Sequence, residues 1–316
     1  MTTLAAGRNP QRGAALLTAM VIVTLIVTLA SSMVWQQWRA VQVEASERAR
    51  NQAAWILLGA LDWARLILRE DARTGGADHL GEPWAVPLAE ARLSTFLAAD
   101  RDNTSDAPEA FLSGTITDAQ SHYNLRNLLD DSGKLVPAEL QTLQRLCQAI
   151  GLPADTAATI AATMRAAVGA PAEGSDDAPF MPQSVMQLAW SGISEATLHR
   201  LEPYATLLPR RTAVNVNTAP REVLAAVIDG LDLGSAERLV QTRQQSPFRS
   251  IEDTRSLLPR DTQLDAQRIA TSSAFFEVRG RLRLGERVLE ERSLIERRGL
   301  DMVMLDRQRV GATETR

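Results

Sequence analysis

From residue 13 to residue 38 the chain carries no charged side chain, and the centre of that run, 14–34, is dense in Leu, Val, Ile, Met and Ala. At 1.5 Å per residue such a run makes about 31 Å of helix, enough to cross the hydrocarbon core of a bilayer. Apolar or small residues then recur at Trp35, Trp38, Val41, Ala45, Ala49, Ala53, Leu57, Ala60, Ala64 and Ile67. Steps of three and four are the stripe of one amphipathic helix. Only Gly59 interrupts it and no proline does, so one helix is predicted over residues 14–70.

Beyond residue 70 the pattern changes twice. Residues 71–110 hold Gly75, Gly76, Pro83, Pro87 and the polar run 102–106, which reads as loop with one short helix. Residues 111–117 alternate and read as a strand. Helical periodicity returns over 137–150, 154–168, 183–190, 195–204, 220–228, 235–244 and 251–258. Two alternating segments, 274–284 and 286–296, flank Gly285 as a hairpin, with a third short strand at 300–305. The tail 306–316 reads as disordered. The helical block therefore interrupts a sheet as an insertion, and its roughly 145 residues are enough to own a core.

Composition narrows the chemistry. The 316 residues are 45% hydrophobic and 23% charged with net charge −4, so the chain has no basic field to gather nucleic acid. Cys147 is the single cysteine, which excludes an intrachain disulfide and a multi-cysteine metal site. It sits in the apolar pattern Leu143, Leu146, Ile150 and reads as a core thiol. His79, His122 and His199 are scattered, and no serine or cysteine lies in a nucleophile motif. No catalytic residue is identified, and an enzyme is not expected.

The start of the chain carries its own chemistry. Arg8 and Arg12 precede the apolar run with no acid among them, which keeps the N-terminus cytoplasmic and exports the chain beyond the run. A cleaved secretory signal is the main rival, but its apolar core is shorter and ends before a turn, whereas helix-compatible sequence continues here. A basic leader ending at Gly13, followed by an uncleaved apolar helix, resembles a type IV pilin-like signal. The resemblance implies cleavage between Gly13 and Ala14 by a prepilin peptidase, with N-methylation of Ala14. Most such chains carry glutamate at the fifth mature position; here it is Thr18. A carboxylate in hydrocarbon is costly unless paired. In such filaments it is thought to meet the N-terminal amine of the subunit nearer the tip, so a neutral Thr18 suits a subunit with none above it.

The rest of the chain matches in order. Gly81-Glu82-Pro83-Trp84-Ala85-Val86-Pro87-Leu88 is followed by Ile116-Thr117-Asp118-Ala119-Gln120, Tyr123-Asn124-Leu125, Asn127-Leu128 and Val214-Asn215-Val216-Asn217-Thr218-Ala219-Pro220. Behind a glutamate-less leader, this series resembles the K-type minor pseudopilin of type II secretion systems. The resemblance implies an α+β, type IV pilin-like fold: a long N-terminal transmembrane helix on an antiparallel sheet, with a large all-α insertion. The parts would be a leader 1–13, the helix 14–70, pilin-like part 71–124, insertion 125–270, pilin-like β part 271–305 and tail 306–316. It further implies assembly at the tip of a pseudopilus, initiating or capping it and supporting protein export. The expected partners are I- and J-type minor pseudopilins, the major pseudopilin, the prepilin peptidase and inner-membrane lipid.

Two features remain beside that reading. K-type chains can bind calcium through acidic residues of the helical domain, and Glu173, Asp176 and Asp177 form the compact acidic group in the matching region. Calcium wants six to eight oxygens, and the aspartate-bearing segment expected just before them is replaced by Met164-Arg165-Ala166-Ala167-Val168-Gly169. A solvated loop is the alternative. The block also holds a weak repeat of helix, glycine turn and helix, whose unit around Gly230 resembles a helix-hairpin-helix module. That suggests a membrane-anchored DNA receptor of a competence-type system. Residues 212–265 carry six Arg against eight Asp and Glu, so phosphate would be repelled. Nucleic acid is not an expected partner. Thr218 is expected to cap the helix beginning at Pro220, with Asn215 and Asn217 bridging backbone groups before it.

Overall fold

The computed structural model describes residues 12–93, 110–168, 180–259, 262–285 and 287–310. Its first element, helix α1 (Arg12–Thr74), runs through two compact units, Met1–Ile56 and Leu57–Arg316.

In the first unit, residues 14–43 are exposed along the whole helix circumference, and the run is long and apolar enough to span a membrane. Several of its hydroxyls bond back to their own helix: Thr24 to Met20 and Val21, Thr28 to Leu25 and Ser32 to Leu29. A polar group so satisfied adds little penalty in hydrocarbon, where water cannot serve as partner. Charges begin at Arg39, stacked 5.5 Å from the Trp35 ring, and continue as the Glu44–Arg48 and Glu47–Arg50 pairs.

In the second unit, α1 buries Leu57, Leu61, Ala64 and Leu68, a row at steps of three and four. The predicted stripe passes through Ala60 and Ile67 instead; these are half-buried at its flank. Against this row lies an antiparallel sheet in the order β1-β2-β7-β8-β9: β1 (Leu88–Arg92), β2 (Ala110–Asp118), β7 (Phe275–Leu284), β8 (Arg287–Arg298) and β9 (Asp301–Val310). Trp84, Phe276, Val278, Ile295 and Met302 fill the interface with Leu61, Ala64 and Leu68. Trp84 meets Phe276 edge to face at 5.3 Å. Two sequence expectations are corrected. Residues 88–92 form a strand where loop was expected, and β9 continues to Val310, so 306–310 is paired chain. A register shift between Leu294 and Ile295 lets β9 run on beside β8.

β2 and β7 are neighbours in the sheet, yet 156 residues separate their ends; residues 119–274 leave and return between them. This excursion holds α2 (Pro137–Ala149), α3 (Thr156–Val168), α4 (Glu195–Leu201), α5 (Arg221–Val227) and α6 (Leu233–Gln245). Their apolar faces meet in a second core that includes Leu143, Leu146, Ile160, Met164, Val223 and Leu239. The predicted helices at 183–190 and 251–258 are 3-10 turns, Val185–Ser191 and Ile251–Leu257. Two short parallel pairs complete the block: β3 (Tyr123–Asn124) with β4 (Ala205–Thr206), and β5 (Val214–Asn215) with β6 (Ile269–Ala270).

Candidate functional site

Gly13 falls in the first turn of α1, and Ala14 follows it, exposed. The Thr18 hydroxyl donates to the Ala14 carbonyl oxygen at 2.8 Å. The side chain at the fifth position after Gly13 is thus neutral and satisfied within its own helix.

The motifs beyond α1 occur in their order for a structural reason: they converge at the junction of sheet and insertion. Asp118 ends β2 and is fully buried. Its carboxylate accepts from Gln120 N (2.7 Å), Thr218 Oγ1 (2.6 Å), Ser273 Oγ (2.6 Å) and Asn215 Nδ2 (3.1 Å). Burial raises its pKa to about 6, against the opposing pull of those donors. Asn215 Nδ2 also donates to the Asp78 carbonyl, and Asn215 Oδ1 accepts from Asn217 N. Asn217 in turn clamps Phe248 through both its backbone groups. Thr218 therefore does not cap α5; Pro220 holds that place without a side-chain bond, and the Thr218 hydroxyl is spent on Asp118. Asn124 and Asn127 hold the strand of chain at 208–212 in the same way. These side chains spend their donors and acceptors on one another and on nearby backbone, which is the chemistry of a joint.

Beside it lies a cluster with no counterpart in the sequence reading. Arg297 on β8 donates to Asp71 at the end of α1 (2.8 Å), to Asp78 (2.6 Å) and to the Ser273 carbonyl (2.6 Å). It also covers the Phe276 ring at 4.8 Å. Glu82 accepts from Trp84 Nε1 (2.7 Å) and His79 N (2.9 Å). Asp71, Asp78 and Glu82 bring carboxylate oxygens within 4.8 Å of one another. Burial, then the charges of Glu82 and Asp78, lift the Asp71 pKa to about 7 against the pull of Arg297. Glu82 and Trp84 were visible in a motif; Asp71 and Arg297, 226 residues apart, carried no shared signal.

Glu173, Asp176 and Asp177 lie outside the described residues. Cys147 is buried, and burial raises its pKa to about 11, so it is an inert core thiol. The turn between α5 and α6 is occupied by its own acids. Asp232 caps α6, accepting from Ser235 N, and Asp229 pairs with Arg145 and Arg268 at 2.7 Å each. A phosphate at that helix end would meet two carboxylates in its place, which gives the DNA reading no support.

Comparison with known proteins agrees over most of the chain. Two family models described as type II secretion system, protein K, match residues 121–210 and 214–272. Type II secretion system protein K of Pseudomonas aeruginosa is 27% identical over 304 residues, covering 89% of this chain and 87% of that one. The protein K of Pectobacterium carotovorum is 29% identical over 332 residues, covering 95% and 97%. A chain of the GspK-GspI-GspJ complex from the type 2 secretion system of enterotoxigenic Escherichia coli has the same fold, with TM-score 0.64 at 19% identity, over 84% of this chain and 99% of that one. The pilin-like arrangement of α1 and sheet, the helical insertion between neighbouring strands and these matches together make the chain similar to the type II secretion system protein K family of minor pseudopilins.

Proposed function

We propose that this minor pseudopilin starts or caps the pseudopilus at its tip and thereby supports export across the outer membrane. The observation that carries the reading is Thr18, a neutral residue satisfied by Ala14 where a shaft subunit needs a carboxylate. The insertion supports it: a block of this size between β2 and β7 adds bulk that a regular stack of subunits has no room for. Arg8 and Arg12 keep the N-terminus on the cytoplasmic side of the inner membrane, and cleavage after Gly13 by a prepilin peptidase leaves Ala14 as the mature terminus. The relative solved with GspI and GspJ suggests I- and J-type minor pseudopilins as the first partners. Capture of the full chain from detergent-solubilised membranes tests this. Both minor pseudopilins are expected to co-purify with it; recovery of the major pseudopilin alone would contradict a role in the tip complex.

A further inference from the structure

The joint between sheet and insertion contains more acid than base. Around Asp71, its own helix contributes Glu70 and Arg73, which pair with each other at the surface. The segment after α1 contributes Asp78, His79 and Glu82; β8 contributes Arg297; Asp118 lies behind Asp78. Across a cavity of about 650 Å³ stand Arg210, Arg211 and Asp131 from the insertion. Arg210 is already held by Glu296 at 3.1 Å and stacked on Phe275. Among the described residues, Arg297 thus faces three carboxylates alone at close range. Desolvation makes that surplus of negative charge expensive, and the least expensive relief is a proton.

The geometry says where the proton goes. Asp78 is occupied on both oxygens, by Arg297 and by Ser273 N, and Glu82 accepts from Trp84 and His79. Asp71 has one bond from Arg297, and its carboxylate oxygen comes within 4.8 Å of one of Glu82. A protonated Asp71 donates to the Glu82 carboxylate. We propose that a single proton held between Asp71 and Glu82 latches the end of α1 to the segment after it and, through Asp78, to the insertion, so that the joint tightens in acid and loosens towards neutral pH.

Asp78 is what passes the effect on. Its backbone N donates to the Thr271 carbonyl, its own carbonyl accepts from Asn215, and its carboxylate accepts from Ser273. Gly75 and Gly76, at φ +67° and +126°, lie between Asp71 and Asp78 in conformations other residues resist. When Asp71 ionises, repulsion from Glu82 and Asp78 acts on a segment tethered at both ends and containing two glycines. The cavity lined by Asp71, Asp78 and Glu82 gives water, and so the proton, access.

Linkage sets the sign. Asp71 holds its proton more tightly in the closed joint than in an open one, so opening becomes easier as pH rises from about 4 to about 7 and levels off above that. Asp118 contributes in the same direction only to about pH 6. The window from about pH 6 to about pH 7.5 therefore belongs to Asp71. The test is amide hydrogen exchange of the full chain in detergent micelles, read as protection factors for residues 78–85. In wild type, protection is expected to fall about eightfold across that window; in Asp71→Asn, which cannot ionise, the fall is less than about twofold. A flat wild-type profile, or equal falls in both proteins, overturns the proposal. Carboxyl 13C titration of the wild type needs no variant: one aspartate with a midpoint near 7 is expected, and none above 6.5 would be equally fatal.

Discussion

Thr18 donates its hydroxyl to the carbonyl oxygen of Ala14, one turn back along α1. The bond closes at 2.8 Å within the apolar span and leaves nothing on that side chain for a neighbouring subunit to satisfy. A carboxylate at that position would need a partner in hydrocarbon; a threonine bonded to its own helix does not.

Thr18→Ser keeps the same back-bond and is expected to support secretion as wild type does. Thr18→Glu places an unpaired carboxylate in hydrocarbon, a change of up to about 2.5–3.5 kcal/mol for a charge at mid-helix. Fibre number per cell should drop several-fold for the glutamate variant alone, counted by electron microscopy at matched membrane levels of the protein.

Processing gives a second check. Mass spectrometry of the mature chain is expected to show Ala14 as the N-terminus, methylated, and Gly13→Glu should leave the leader attached. A mature start near Ser31 would indicate an ordinary secretory signal instead.

Much of the architecture was legible because it is written locally. The uncharged run, the hairpin around Gly285 and the helices α2, α3 and α6 each follow from periodicity within one segment. The features that the pattern did not reveal depend on pairing at a distance. β1 is a strand because β2 lies beside it, and β9 reaches Val310 because β8 offers an edge. The motif residues were visible, but Thr218 reads locally as a helix cap and serves instead as a donor to Asp118, 100 residues away. The partnership of Asp71 with Arg297 had no local trace at all.

The sheet face under α1 offers a packing test. Gly114 and Gly280 sit opposite each other on β2 and β7. A Cβ at Gly114 would stand 3.0 Å from the Arg279 carbonyl oxygen, whereas one at Gly280 would stand 3.3 Å from Leu57 Cδ2. Backbone cannot yield as a leucine tip can. Gly114→Ala is therefore expected to destabilise by about 1–3 kcal/mol and Gly280→Ala by clearly less, compared by chemical denaturation.

Asp118 makes stability depend on pH. Its pKa is raised by folding, so the folded chain binds more protons than the unfolded one between about pH 4 and about pH 6. Stability is expected to fall by roughly 3 kcal/mol across that range from this group, seen as a declining melting temperature. Glu296, Asp232 and Asp253, whose pKa values are lowered by arginine or backbone donors, act below that window, where acid weakens the fold. Asp118→Asn should remove this group's share of the slope between pH 4 and pH 6 and leave that of Asp71. Asp118→Ala leaves Asn215, Thr218 and Ser273 without their acceptor and should destabilise by about 2–4 kcal/mol at all pH values.

The tip assignment is tested most directly by counting this protein in isolated pseudopili as a function of their length. With a single fluorophore on an exposed site of the insertion, one copy per fibre is expected, at one end, whatever the length. A copy number that grows in proportion to length, with label along the shaft, would contradict the assignment.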